Sequence, residues 1–438
     1  MTQPPIDWAA VHAEALDVLT RYLRIDTSNP PGREAPGARF LGDLLAAEGF
    51  ECTYLEPQPE REILLATLPG DGSKRPMMLC NHIDVVPVEE EYWTKPAFEG
   101  LVEDGRIYGR GAVDMKGAGV MQLLTMLLLK RQGVRLRRDV VFCAVPDEEA
   151  GSVWGMQWLS ERHPELVDVE FEMSEGGSGT SRFLGQDVEL FNVATNEKTM
   201  CWLELRAVGT PGHGSRPHLD NSAVHLTRAL QRLADWDRPL EFVPETRHTT
   251  EQLQEAGLMP AGLSEAEMEE LIRSNAAQQA AFQNTLNITM IRSGIKANVI
   301  PAESTAVIDC RLLPGQDRED WRREVEAVVD DPRVEVRFYT DWGQDVPEPI
   351  AWDTELYRTI ESVMKEASED AVVVPNLCTG GTDNRFLRAK GIPAYGFIPC
   401  LLSPEEAAGF HGNDEFLTVE NLNMGVELTY EIVRRMCT

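Results

Sequence analysis

Seven residues able to ligate a metal or move a proton fall in five short segments, each closing an apolar run. They are His82 and Asp84 in LCNHIDVVP, Asp114 in GRGAVDMKG, Glu148 and Glu149 in VPDEEAGS, Glu175 in MSEGG, and His411 in FHGNDEF. Imidazole and carboxylate donors together suit divalent ions, zinc first, with cobalt and manganese able to use the same set. Two such ions would acidify a water held between them and polarise a carbonyl. Hydrolysis is the chemistry this set predicts.

Each segment also has a plainer reading. Asp114 precedes an apolar helix and could be its N-cap. His82 and Asp84 could close a strand as polar residues, or Asp84 could fix the tautomer of a ligating His82. Asp147, Glu148 and Glu149 repel one another at the end of a buried strand. A helix N-terminus relieves part of that repulsion, and a cation relieves far more. Glu148 and Glu149 point in different directions, so one can bind metal while the other serves as a base. His213, in GTPGHGSRP, stands apart from the rest. It is either a loop histidine or a catalytic group brought in by a folded-over insert or a partner subunit.

Several competing chemistries have no motif. There is no Gly-Lys dipeptide for a P-loop and no His-Glu pair for an H-E-x-x-H protease. Neither G-x-G-x-x-G nor G-x-S-x-G occurs.

The elements needed to position these residues read as two patterns. Helices are expected over about Trp8–Arg24, Ala35–Glu48, Lys116–Arg131 and Gly151–Glu161. Strands are expected at Glu62–Leu68, Pro76–Cys80, Asp139–Val145 and Val167–Met173. That alternation argues for an α/β layer whose active groups gather at the carboxyl ends of its strands. Near Asn196 the pattern changes. The strands Thr199–Val208, Thr285–Ile291, Ser304–Leu312 and Val334–Tyr339, with helices Asn221–Ala234 and Glu319–Val329, follow a split β-α-β-β-α-β order. An acidic stretch, Pro244–Gln283, reads as helical and surface-lying. After Pro349 the first pattern returns, with helix Thr354–Ala367, strand Val372–Val374, helix Asp383–Lys390, strand Ala394–Ile398 and a last helix from Val419. The expected division is therefore a catalytic domain over 1–195 and 346–438, with an inserted α+β, ferredoxin-like domain over 196–345.

Composition narrows the class. The 438 residues carry 72 acids against 41 bases, a formal charge of −31 that disfavours nucleic acid as a partner. Eight cysteines are scattered without a C-x-x-C pair, as in a reducing compartment. The first residues lack a secretory pattern, and the most apolar helix, Gly117–Leu129, falls short of the ~20 residues that span a bilayer. A cytoplasmic protein with no membrane partner is the expectation.

The segments from YLRIDTSNPPG to FHGNDEF, in this order and over nearly the whole chain, resemble the M20 family of co-catalytic metallopeptidases. The stretch NTLNITMIRSGIKANVIPAESTAVIDCRLLPG looks most like its carboxypeptidase S and N-acyl-amino-acid hydrolase branch. The resemblance implies that Asp114 bridges two metals, with His82 and Glu175 completing one site and Glu149 and His411 the other. Glu175 stands where relatives use Asp or Glu. Asp84 would orient His82, Glu148 would be the general base, and the Asp114–Met115 bond would be cis. His213 would reach a neighbouring subunit's site, the insert acting as lid and homodimer contact. Asn298 in KANVIP and Arg311 in DCRLLPG match positions that grip a substrate carboxylate, and Gly380 and Gly381 match a substrate-lining loop. The implied reaction is cleavage of an N-acyl amino acid or small peptide bearing a free carboxylate. A dipeptidase or a deacylase of the acetylornithine or succinyl-diaminopimelate type is the nearest alternative, and a non-catalytic ligand binder the most distant.

Overall fold

The structure is a computed structural model that describes residues 5–339 and 350–438. Its centre is an eight-stranded mixed sheet in the order Cys52–Gln58, Arg61–Leu68, Val140–Val145, Met77–His82, Phe171–Phe183, Ala394–Leu402, Gln186–Glu197, Ala371–Cys378. Met77–His82 runs parallel to both neighbours, with His82 opposite Val145 and Leu79 opposite Met173. The residues after His82, after Val145 and just past Met173 therefore reach one carboxyl rim. That shared register gathers the acidic and imidazole groups.

Helix Lys116–Arg131 lies against this sheet, buried on nearly every side among Trp8–Leu23 and Val419–Cys437. An all-round apolar sequence suits such a place, because no face meets water. A small sheet of Leu101–Glu103, Arg106–Tyr108 and Phe416–Thr418 pairs Phe416 with Tyr108. It ties the loop carrying His411 to the loop carrying Asp114.

The second unit is antiparallel, ordered Thr285–Ser293, Glu303–Leu312, Leu203–Val208, Val334–Phe338, with Thr199–Met200 on the side of Glu303–Leu312. Helices Ser222–Ala234 and Arg318–Val329 cover it around a separate apolar cluster that includes Leu205, Leu226, Ile308 and Trp321. Fourth strand, first, third, second is the order a split β-α-β-β-α-β chain produces.

Several expected boundaries move. The helix expected from Gly151 begins at Met156, since Gly151 and Ser152 take left-handed backbone at φ 103° and 65°. Thr199–Val208 is two strands rather than one. Strand Phe171–Phe183 starts later and runs further than Val167–Met173 suggested. Pro244–Gln283 is helical but not simply surface-lying. Leu253 and Met259 are buried with Leu190 and Val374 of the large sheet. The expected boundary at residues 345 and 346 lies outside the described residues.

Candidate metal centre

His82 ends a buried strand, and its Nδ1 lies 2.9 Å from the main-chain oxygen of Asp84. A carbonyl only accepts, so Nδ1 carries the hydrogen and Nε2 offers its lone pair. That lone pair faces acceptors: Asp114 Oδ1 at 3.0 Å and Glu175 Oε1 at 3.6 Å. On the other side, His411 Nε2 faces Asp114 Oδ2 at 3.3 Å and Glu149 Oε2 at 3.1 Å. Acceptors turned toward one another need a proton or a cation between them. The two triads His82–Asp114–Glu175 and Asp114–Glu149–His411 each bring their ligand atoms within 4.8 Å of one another, and they share Asp114.

Protonation in the metal-free protein follows from this geometry. Burial opposes charge on His82, yet Glu175 and Asp114 outweigh it and hold its pKa well above the usual imidazole range. Hydrogen bonds to Asp114 and Glu149 raise His411 to about 10. Burial, then Asp114, lifts Glu175 to about 7. For Asp114, burial is overcome by hydrogen bonds from His411 and His82, which hold it below the carboxylate range. The donor set fits divalent ions, since neutral imidazoles and ionised carboxylates would replace these shared protons. Glu149 Oε1 is buried without a hydrogen-bond partner, as a ligand oxygen awaiting a cation would be.

The capping alternatives do not describe these residues. The helix after Asp114 has Met115 as its N-cap and no side-chain cap, and the Asp114–Met115 bond is cis. The short helical turn Glu148–Ala150 likewise lacks a side-chain cap. Glu148 lines the same cavity as Asp114, Glu149, Glu175 and His411, a space of about 740 Å³. Burial and Glu175 push its carboxyl well above the ordinary range.

Asp84 acts differently from expectation. Its main chain fixes the His82 tautomer, while its nearer carboxylate oxygen is 3.7 Å from Nδ1. That carboxylate instead accepts the backbone N–H groups of Glu148 and Glu149, both at 3.1 Å. It orients the acidic turn more directly than the imidazole.

The remaining expected residues separate into two places. Arg311, Gly380 and Gly381 line the cavity together with Trp202 and Arg385. Arg311 already holds Asp309 through Nε at 2.7 Å and Nη2 at 3.1 Å. His213 and Asn298 are exposed on the ribbon that pairs Gly212–His213 with Val299–Ile300, and neither lines the cavity. The Ser215 N–H donates to His213 Nδ1 at 3.2 Å, so Nε2 carries the hydrogen and faces outward as a donor.

Two residues escaped the sequence reading. Glu415, fully buried, accepts the N–H groups of Gly111, Val113 and Asp114 at 2.9, 2.8 and 3.1 Å, and so holds the glycine loop under the shared aspartate. It stood inside FHGNDEF, where the second of two adjacent acids gave no distinct signal. Asn384 donates to the main-chain oxygen of Glu175 at 2.9 Å.

A mixed α/β sheet with paired carboxylate–imidazole triads at its carboxyl rim is the build of a metallo-amidohydrolase. The model of peptidase family M20/M25/M40 matches residues 78–435, and the chain belongs to that family. It is 27% identical to aminoacylase-1 of Sus scrofa over 428 residues, 97% of this chain and 95% of that protein. It is 30% identical to an N-fatty-acyl-amino acid synthase/hydrolase of Mus musculus, over 85% of this chain and 77% of that one. Among solved structures, an M20 family metallo-carboxypeptidase from Sulfolobus solfataricus superposes with a TM-score of 0.74 at 19% identity, covering 96% and 98% of the two chains.

Proposed function

We propose that this chain hydrolyses the amide bond of N-acyl amino acids or small peptides that carry a free carboxylate. The observation that carries the reading is the division of the Asp114 carboxylate, one oxygen toward each imidazole, beside a Glu148 that caps nothing. His82, Asp114 and Glu175 would hold one divalent ion, and Asp114, Glu149 and His411 the other, with zinc the first candidate and cobalt or manganese next. When bound, such ions acidify water and polarise a carbonyl. Glu148 takes the proton from the attacking water and returns it to the leaving amine. Arg311 marks the cavity wall suited to a substrate carboxylate by its positive charge, although Nε and Nη2 hold Asp309. The names of the relatives, aminoacylase and N-fatty-acyl-amino acid hydrolase, support this substrate class.

Residues 1–195 and 346–438 form the catalytic part in this reading, and 196–345 the lid. His213, with Nε2 as donor, stabilises the developing oxyanion in the active site of a second copy, and Asn298 accompanies it. Supporting such a homodimer, Thr285–Ser293 is an edge strand with Ile288, Met290 and Ile291 exposed, and Ile295 and Leu219 stand almost wholly in solvent. The eight free thiols suit the cytoplasm, and no helix among the described residues is long and apolar enough to cross a membrane.

The test is a panel of N-acyl amino acids and dipeptides assayed with zinc or cobalt added back to chelated protein. Glu148→Ala should lower kcat by roughly 10²–10⁴-fold while still binding zinc. Full turnover in that variant, or turnover indifferent to chelation, would end the reading.

A further inference from the structure

Behind the ligand rim lies a polar layer, almost wholly buried, that takes no direct part in the proposed chemistry. It contains Asn29, Glu34, Arg61, Asp84 and Asp147. The side-chain amide of Asn29 donates to Asp84 Oδ2 at 2.9 Å and to Asp147 Oδ1 at 3.1 Å, so one NH₂ group separates two buried carboxylates. The orientation of that amide is set by Arg61, whose Nη2 donates to Asn29 Oδ1 at 3.2 Å and to Pro31 O at 3.2 Å. Arg61 Nη1 pairs with the Asp147 carboxylate and lies 3.5 Å from Glu34 Oε1. Without the guanidinium, the Asn29 oxygen would be free to turn toward the acids, and their repulsion would go unopposed.

These contacts end on the catalytic turn. Asp84 accepts the N–H groups of Glu148 and Glu149. Asp147, held at φ 73°, accepts the Trp154 N–H at 2.9 Å. Arg61 thus steadies both ends of the segment that presents the base and one metal ligand. The loop opposite is shaped to admit it. A Cβ on Gly32 would fall 2.0 Å from Arg61 Nη2, and Gly32 sits at φ +76°.

Resting on the function proposed above, we propose that Arg61 is a positioning residue. It acts through Asn29, Asp84 and Asp147 to hold Glu148 at its working distance and Glu149 in reach of the ion shared with His411. A shift of the turn by about an ångström is the size of displacement that costs roughly 10²-fold in rate. Residues supporting a metal ligand from behind are typically worth roughly 10- to 100-fold in affinity.

The experiment compares Arg61→Met, Arg61→Lys and Gly32→Ala with wild type. It measures kcat and KM on an N-acyl amino acid the wild type cleaves, zinc binding to chelated protein by calorimetry, and melting temperature. Arg138→Met is the control for losing a buried guanidinium, because Arg138 precedes the same strand that Asp147 follows and so lies at the opposite end of that strand. Arg61→Met should lose roughly 10²-fold in kcat with KM little changed. The weaker of its two zinc-binding steps should fall by roughly 10- to 100-fold. Arg61→Lys should recover part of both, and Gly32→Ala, which keeps the charge but crowds it, should show a smaller loss of the same kind. Arg138→Met should melt earlier at unchanged kcat. Unchanged kcat and zinc binding in Arg61→Met would overturn the inference, as would a kcat loss that Arg138→Met reproduces. A wild type that cleaves nothing would instead sink the function proposed above, and the zinc calorimetry would still decide the role of Arg61.

Discussion

The carboxylates of this protein are assigned by what each oxygen faces. Asp114 turns its two oxygens to two imidazoles, while Asp84 and Glu415 turn theirs to backbone N–H groups around the rim, with Asn29 a further donor to Asp84 and Arg110 to Glu415. Removing Glu415 should therefore act through Asp114. Glu415→Gln keeps the shape but weakens charge-assisted bonds worth about 1.5–3 kcal/mol each, so zinc affinity should fall at both triads, readable by calorimetry. An unchanged affinity would show that the loop holds itself. Glu34 gives a separate test through stability. Burial, and after it Asp84, pushes its carboxyl up to about 8, with Arg61 pulling the other way. The folded chain then keeps a proton that the unfolded chain has released, so stability falls as pH climbs from the carboxylate range toward 8. Glu34→Gln should remove that slope, melting above wild type near neutral and alkaline pH and converging with it in acid. Parallel melting curves across that span would contradict the assignment.

Elements decide how these side chains arrive. Most of the fold was legible because periodicity was strong: Lys116–Arg131 matches its expected bounds, and the β-α-β-β-α-β order of the second unit follows from alternation in Leu203–Val208 and Glu303–Leu312. The ligand segments were legible too, since an acid or histidine closing an apolar strand is a conspicuous break. Strand Gln186–Glu197 was not, although it lies inside the large sheet, because QDVELFNVATNE mixes polar residues with an apolar run in neither clean period. The short strands Leu101–Glu103 and Arg106–Tyr108 are too brief to show any period. Arg61 and Asn29 were invisible as site residues, since nothing local tells a strand-leading arginine or an NPPG turn that it faces Asp147. The irregular stretch after Ser174 carries a prediction of its own. Three residues of Ala394–Leu402, Gly396 to Ile398, span five of its neighbour, Ser174 to Ser178, and Glu175 is delivered on that bulge. A Cβ on Gly177 would meet Asn192 O at 2.3 Å and Gly396 O at 2.6 Å. Gly177→Ala should cost about 1–3 kcal/mol in denaturant unfolding and weaken zinc at the His82 triad first. A variant with wild-type stability would show that the bulge yields without strain.

At the scale of the molecule, His213 and Asn298 stand outside the cavity on a ribbon beside an apolar edge strand. If the working site takes His213 from a second copy, Glu148→Ala and His213→Ala are each inactive alone, yet mixing and re-equilibrating them should restore part of the activity. One protomer of each mixed pair then joins an intact Glu148 to an intact His213. No recovery on mixing, with a monomer by light scattering, would place His213 in its own chain's site or outside the chemistry.

The ligands are also staggered along the polypeptide. His82, Asp114 and Glu175 all come from the first half, whereas the partner triad waits for His411, carried in beside Phe416–Thr418 and the closing helix Val419–Cys437. During synthesis the amino-terminal triad is made long before its companion. An ion captured there would meet a nascent chain whose second seat does not yet exist, and a segment made more than two hundred residues after Glu175 completes the pair.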